Sequence, residues 1–190
     1  MRSRKFIGIA LLGIVLFQTA CFKDKIDETK VLTDNMKSQN PYLENNKLYF
    51  ASESEQVLIM QVSSRTNKFL EVATGNYSPV YLVEVDITTI KSVDTARLYE
   101  FEMKMEAYTT PRFSISILDP TGQKSWVHYD LPLSKNTPGY IDSVFVNEKW
   151  LHDIYLAESN TFKLYYSTEL GIIKFDNANS YRWELSKITK

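Results

Sequence analysis

Most apolar runs in this chain alternate at period two, and that spacing limits what the polypeptide can fold into more than any other feature. Between Tyr99 and Tyr108, the residues Tyr99, Phe101, Met103, Met105 and Ala107 fall on one side, with Glu100, Glu102, Lys104 and Glu106 on the other. A helix would mix the two sets around its circumference, whereas a strand separates them. Thr109-Thr110-Pro111 breaks the chain, and Phe113, Ile115 and Ile117 then return with Ser114 and Ser116 outward. Asp119-Pro120-Thr121-Gly122 carries Pro and Gly in turn positions and leads into Trp126–Leu131. The spacing predicts a three-stranded meander with one wet face.

The same reading extends over the chain from Lys47 to Lys190, about 145 residues and within the size of one domain. Val57–Val62 is apolar on both sides, which suits a central strand. Tyr81, Val83, Val85 and Ile87 alternate with Glu84, Asp86 and Thr88. Ile141–Val146 and Trp150–Leu156 flank Asn147-Glu148-Lys149, a hairpin loop. Phe162–Tyr166 and Ile172–Phe175 flank Gly171, which permits a positive-φ turn. Asp176-Asn177-Ala178-Asn179-Ser180 is a turn cluster, and Tyr181, Trp183 and Leu185 close the domain against Arg182, Glu184 and Ser186. Roughly ten to twelve short strands and no long helix predict an all-β, antiparallel β-sandwich, with a closed or half-open barrel as the alternative.

The first 21 residues follow another rule. Arg2, Arg4 and Lys5 precede an unbroken apolar run from Phe6 to Phe17, then Gln18-Thr19-Ala20-Cys21. Twelve residues are too short for a hydrocarbon core that needs about 20. A basic start, a short apolar middle and small residues after it form a secretory signal peptide over 1–20. An ordinary cleavage site would want a small residue at Gln18.

Thr19-Ala20-Cys21 instead resembles the lipobox of bacterial lipoproteins, although Gln18 stands where that family prefers an aliphatic residue. The resemblance implies cleavage between Ala20 and Cys21, S-diacylglycerol and N-acyl groups on Cys21, and membrane lipid as a partner through those chains. Cys21 is the only cysteine. An exported protein would otherwise carry a leftover thiol. Two or more acyl chains also anchor stably where one holds marginally. Lys-Asp and Asp-Glu pairs after Cys21 resemble the charged export signal of surface lipoproteins in the Bacteroidota; a solvated linker is the other reading. The stretch Tyr165–Phe175, with Trp183-Glu184-Leu185, resembles the ending of small Bacteroidota envelope lipoproteins. That implies a lineage and an outer-membrane address, on the periplasmic or cell-surface face, and no activity.

Between anchor and domain, Ile26, Val31, Leu32 and Met36 are too thinly scattered to bury a face. Residues 21–46 are therefore expected to be a lipidated tether, with a short helix around Ile26–Met36 compatible but not required. Without the leader's three basic residues the chain has 19 basic and 23 acidic groups, a net of −4. Such a balance offers no basic stripe for nucleic acid.

Motifs for chemistry are sparse. His128 lies beside Trp126 and Asp130, and His152 next to Asp153; the four could meet only if their hairpins pack together. No free cysteine helps to complete a zinc set, so no metal or other cofactor is expected. No G-x-S-x-G elbow, G-x-G-x-x-G, Walker loop or H-E-x-x-H occurs, and Asp176-Asn177-Ala178-Asn179 fails the calcium-loop spacing. Glu100, Glu102 and Glu106 read as solvated surface.

Aromatic residues, at 13%, are the enriched class. Trp126, Trp150 and Trp183 are candidates for a stacking platform, with core packing the simpler reading of each. The expected function is a non-catalytic, lipid-anchored envelope protein that binds a protein partner or glycan or serves as an accessory subunit. A lipid-anchored hydrolase with a His/carboxylate site and a carrier of an apolar ligand in a barrel interior are the alternatives.

Overall fold

In a computed structural model the described residues are 26–73, 80–95, 97–158, 162–177 and 182–189. The leader, Ala20 and Cys21 lie outside them, as do Ala178, Asn179 and Ser180 of the expected turn cluster and Tyr181. Among the described residues twelve strands and one short helix follow in chain order: β1 (Ile26–Lys30), α1 (Asp34–Ser38), β2 (Lys47–Ser52), β3 (Val57–Ala73), β4 (Val80–Ser92), β5 (Glu100–Glu106) and β6 (Arg112–Leu118). They continue as β7 (Lys124–Asp130), β8 (Tyr140–Val146), β9 (Lys149–Glu158), β10 (Phe162–Ser167), β11 (Gly171–Asn177) and β12 (Arg182–Thr189).

All belong to one sheet with the order β7-β6-β5-β4-β3-β2-β12-β11-β10-β9-β8, and β1 attaches to β4 off that path. Of the two arrangements expected from the sequence, the strands adopt the half-open barrel: a single curled ladder. Its opposed halves pack on each other as sandwich sheets would. Phe101 of β5 meets Phe175 of β11 edge-on at 5.1 Å, and Phe113 of β6 meets Tyr166 of β10 at 5.0 Å. Trp183, Tyr42, Tyr166, Phe50, Phe101, Phe113 and Phe175 are all fully buried, so large rings fill the interior. The hollow that a carrier would require is occupied by the chain's own side chains.

The predicted meander is present. Phe101, Met103 and Met105 of β5 are buried, with Glu100, Glu102, Lys104 and Glu106 half-buried on the other face. β5 pairs with β6, and β6 with β7, in unbroken antiparallel register. The Asp119 side chain organises the turn before β7 by accepting from the Thr121 and Gln123 amides. In the β8–β9 hairpin Asn147 and Glu148 both have positive φ, +45° and +64°, as a two-residue turn matched to strand twist requires. Lys149, expected in that loop, is the first residue of β9.

β9 changes its facing at Asp153, whose φ is +54°. Tyr155 belongs to the interior, while Ile154 and, beyond the kink, Leu151 and Val146 pack with Ile173, Leu170 and Leu185 on the outer side. The hairpin tip is held there by the Asn147 amide, which donates to Glu184 at 3.1 Å. That bond and the Lys174 ion pair outweigh burial and hold the Glu184 carboxyl below its usual range.

The tether expected over 21–46 is corrected from Ile26 onward, because those residues are part of the fold. β1 pairs in parallel with the first residues of β4, from Ile26 against Val80 to Lys30 against Val83. β5 reaches only as far as Val85, so the start of β4 has an edge to offer. Thr33 caps α1 by accepting from the Met36 amide. Leu32 and Tyr42 are then buried, which no local periodicity announces.

Polar contacts fix this plug across several strands. The Tyr42 hydroxyl accepts the Ile172 amide at 2.6 Å, and the Tyr166 hydroxyl donates to the Gln39 carbonyl. The Gln39 side chain bonds both backbone groups of Leu133, and Asn40 donates to Thr88. Arg65 donates to the Tyr42 carbonyl at 2.6 Å and to buried Asp86 at 2.7 Å. Buried Glu84 accepts from the Leu32 amide, Lys37 and Asn67. Burial alone would raise its pKa, but these donors prevail and hold the carboxyl below the ordinary range. Buried polar groups satisfied this completely specify one arrangement. The plug is built in.

Candidate functional site

A curled sheet that does not close leaves two ends. One is β7, which has β6 on one side only. At the other end β8 starts at Tyr140, opposite Tyr155, so Leu156–Glu158 of β9 extend past it. The Leu156 amide donates to the Gly139 carbonyl at 2.8 Å, which caps that overhang. Gly139 has φ +81°, and a side chain there would collide with the Leu156 carbonyl, so only glycine suits the position.

A concavity of about 740 Å³ lies along these two ends. Trp126 to Asp130 line one wall, Leu156 to Glu158 the other, and Pro138 and Gly139 complete it. Successive strand residues point to opposite faces. Five consecutive residues can therefore line one groove only if it runs along the strand's edge rather than over a face.

On β7, Val127 and Tyr129 turn inward, and Trp126, His128 and Asp130 turn outward. Trp126 is 65% exposed, and its ring stacks on His128 with centroids 5.6 Å apart. Tyr129 is 7% exposed, and its hydroxyl has no hydrogen-bond partner among the described residues. Burial pushes its pKa well up, so it stays a neutral donor. Across the groove Glu158 is paired with Lys163 at 2.7 Å.

The three tryptophans, candidates for a platform with core packing the simpler reading of each, do not share a surface, so the expectation of a joint platform is corrected. Trp183 is 1% exposed and stacks on Phe175 in the core. Trp150 is exposed on the β8–β9 hairpin, tilted against its cross-strand partner Phe145 at 5.4 Å. Trp126 alone stands at the groove. Inward-pointing Val127 and Tyr129 oblige it to face out, a signal that the alternation already contained.

The four His and Asp candidates divide as well. His128 and Asp130 line the groove; His152 and Asp153 lie elsewhere on β9, both exposed. Asp153 accepts a hydrogen bond from Tyr140 at 2.7 Å, and with burial and Asp142 this raises the Tyr140 pKa. Glu158, which sequence reasoning passed over, joins His128 and Asp130 at the groove because β9 outruns β8. Among the described residues no group of three or more His, Cys, Asp or Glu is placed to hold a metal ion. Among them, too, no helix is long and apolar enough to cross a membrane.

Comparison with known proteins returns no relative: no family model, no curated protein and no solved structure matches this chain.

Proposed function

We propose that this chain is a lipid-anchored envelope protein whose half-barrel binds a partner molecule in the groove at its open seam. The leader ending at Cys21 supports the anchor, and one observation carries the binding role. The seam's concavity combines an exposed tryptophan, a buried hydroxyl with no partner among the described residues and two carboxylates, in the volume range of ligand sites. An exposed indole on a groove wall contributes contact area at little conformational cost, which is how aromatic anchors work in recognition surfaces.

The test is binding of the full chain, held in detergent micelles, to an oligosaccharide panel and to envelope extract. Trp126→Ala should weaken whatever binds by at least about tenfold, the loss of one buried anchor of roughly 1.4 kcal/mol or more. Trp150→Ala should leave it unchanged. Equal retention in both variants would place binding elsewhere.

One further observation favours a second reading. His128, Asp130 and Glu158 share the groove, the minimum that a His/carboxylate hydrolase would need. On that reading Glu158→Gln abolishes turnover of a bound substrate. Binding without turnover in the unmodified chain rejects it.

A further inference from the structure

The groove has the shape of a missing strand, and we infer that it takes an extended polypeptide segment of a partner by strand addition. This deepens the binding reading above and rests on it. Among the described residues each wall is a sheet edge: on β7 the backbone groups of Trp126, His128 and Asp130 face away from β6, and on β9 those of Glu158 face away from β10. Exposed edges of this kind are templates for pairing with another chain.

Dimensions agree. One residue of an inserted strand occupies about 4.8 Å between strands, 3.3 Å along the chain and 10 Å through the sheet, or about 160 Å³. The groove's 740 Å³ therefore accommodates about four to five residues, matching the five residues of β7 along its wall.

Direction is fixed too. Every step along the sheet from β7 to β9 is antiparallel, and the number of steps is odd, so the two edges run in opposite senses. An inserted strand must be antiparallel to one and parallel to the other. The longer β7 edge takes the antiparallel pairing, the more stable kind per residue.

Side chains state the partner's chemistry. Residues of the added strand that point inward meet Val127 and Tyr129, and those that point outward meet Trp126, His128 and Asp130. Asp130 has no ion pair among the described residues, whereas Glu158 on the facing wall is paired with Lys163, so Asp130 is the charge left to answer. The segment therefore alternates apolar with polar residues and carries a Lys or Arg on its outer face.

The experiment is selection of a random twelve-residue peptide library against the full chain in detergent micelles, followed by hydrogen exchange with enriched peptides bound. Enriched peptides should alternate apolar residues with at least one basic residue. They should slow exchange of the Trp126, His128, Asp130 and Glu158 amides by at least about tenfold. N-methylating alternate peptide nitrogens should abolish binding, and Asp130→Asn should weaken it severalfold. A library that yields no binder, binders that tolerate N-methylation, or protection confined to the Phe145–Trp150 hairpin would overturn the inference. In a parallel arm, chitohexaose bound at Trp126 with no peptide selected would overturn strand addition and leave the binding role standing. A chain that binds neither peptide, oligosaccharide nor envelope extract would defeat both.

Discussion

Replacing Tyr42 measures whether residues 26–46 belong to the fold. The ring is 1% exposed, lies against Gly171 and presents its hydroxyl to the Ile172 amide. Truncating a buried aromatic side chain to alanine costs about 3–5 kcal/mol. Leaving the Ile172 amide without its acceptor adds about 1–3 kcal/mol. Tyr42→Ala should therefore destabilise the domain by at least about 4 kcal/mol, whereas Tyr42→Phe, which removes the acceptor alone, should cost about 1–3 kcal/mol. Urea unfolding of the chain without its leader and with Cys21→Ser provides the assay. With a slope near 2 kcal/mol per molar, the alanine variant should unfold about 2 M earlier and the phenylalanine variant about 1 M earlier. A midpoint shift below about 0.3 M for Tyr42→Ala would mean that the segment is a solvated tether after all.

Three further outcomes are expected. Glu84 has its carboxyl held below the ordinary value, so its contribution to stability is present above the unfolded pKa of about 4.3 and lost as pH falls through the folded one. Glu84→Gln should cost about 1.5–3 kcal/mol at pH 7 and flatten the fall in stability below about pH 5, which denaturant titrations across pH 3–7 would read. Gly171 has φ +79°, and a side chain there would strike the Tyr42 ring. Gly171→Ala should lose about 2 kcal/mol or more, with part of the loss absent in the Tyr42→Ala background, as a double-mutant cycle would record. Metabolic labelling with a fatty-acid probe should tag the full chain and not Cys21→Ser; an untagged, full-length wild type found in the cytosol would refute the anchor.

The meander of β5 to β7 was legible because each strand pairs with its sequence neighbour. Alternation and the Asp119–Gly122 turn therefore carry the whole instruction. The same holds for the β8–β9 and β10–β11 hairpins, where Asn147, Glu148 and Gly171 supply positive φ. The plug was not legible. Leu32 and Tyr42 sit in irregular backbone, and their partners Glu84 and Ile172 lie 52 and 130 residues away. No window of local sequence contains both halves of such a contact.

The groove was half legible. Alternation around Val127 and Tyr129 already turned Trp126, His128 and Asp130 outward. That they stand on an edge, opposite Leu156–Glu158, depends on which strand ends the sheet and on how far β8 falls short of β9. Both are long-range facts. Trp150 differs for another reason: Asp153 kinks β9, so the facing of residues before the kink, Trp150 among them, does not continue the alternation of Tyr155 and Ala157 beyond it.

The most direct test of the account uses the full chain in native membranes, with a photo-crosslinking amino acid at position 126 in one version and at position 150 in another. Adducts formed from position 126, lost when a groove-binding peptide is added, and absent from position 150 are the expected result. Adducts from position 150 with none from 126, or none from either, would contradict a binding function seated at the open seam.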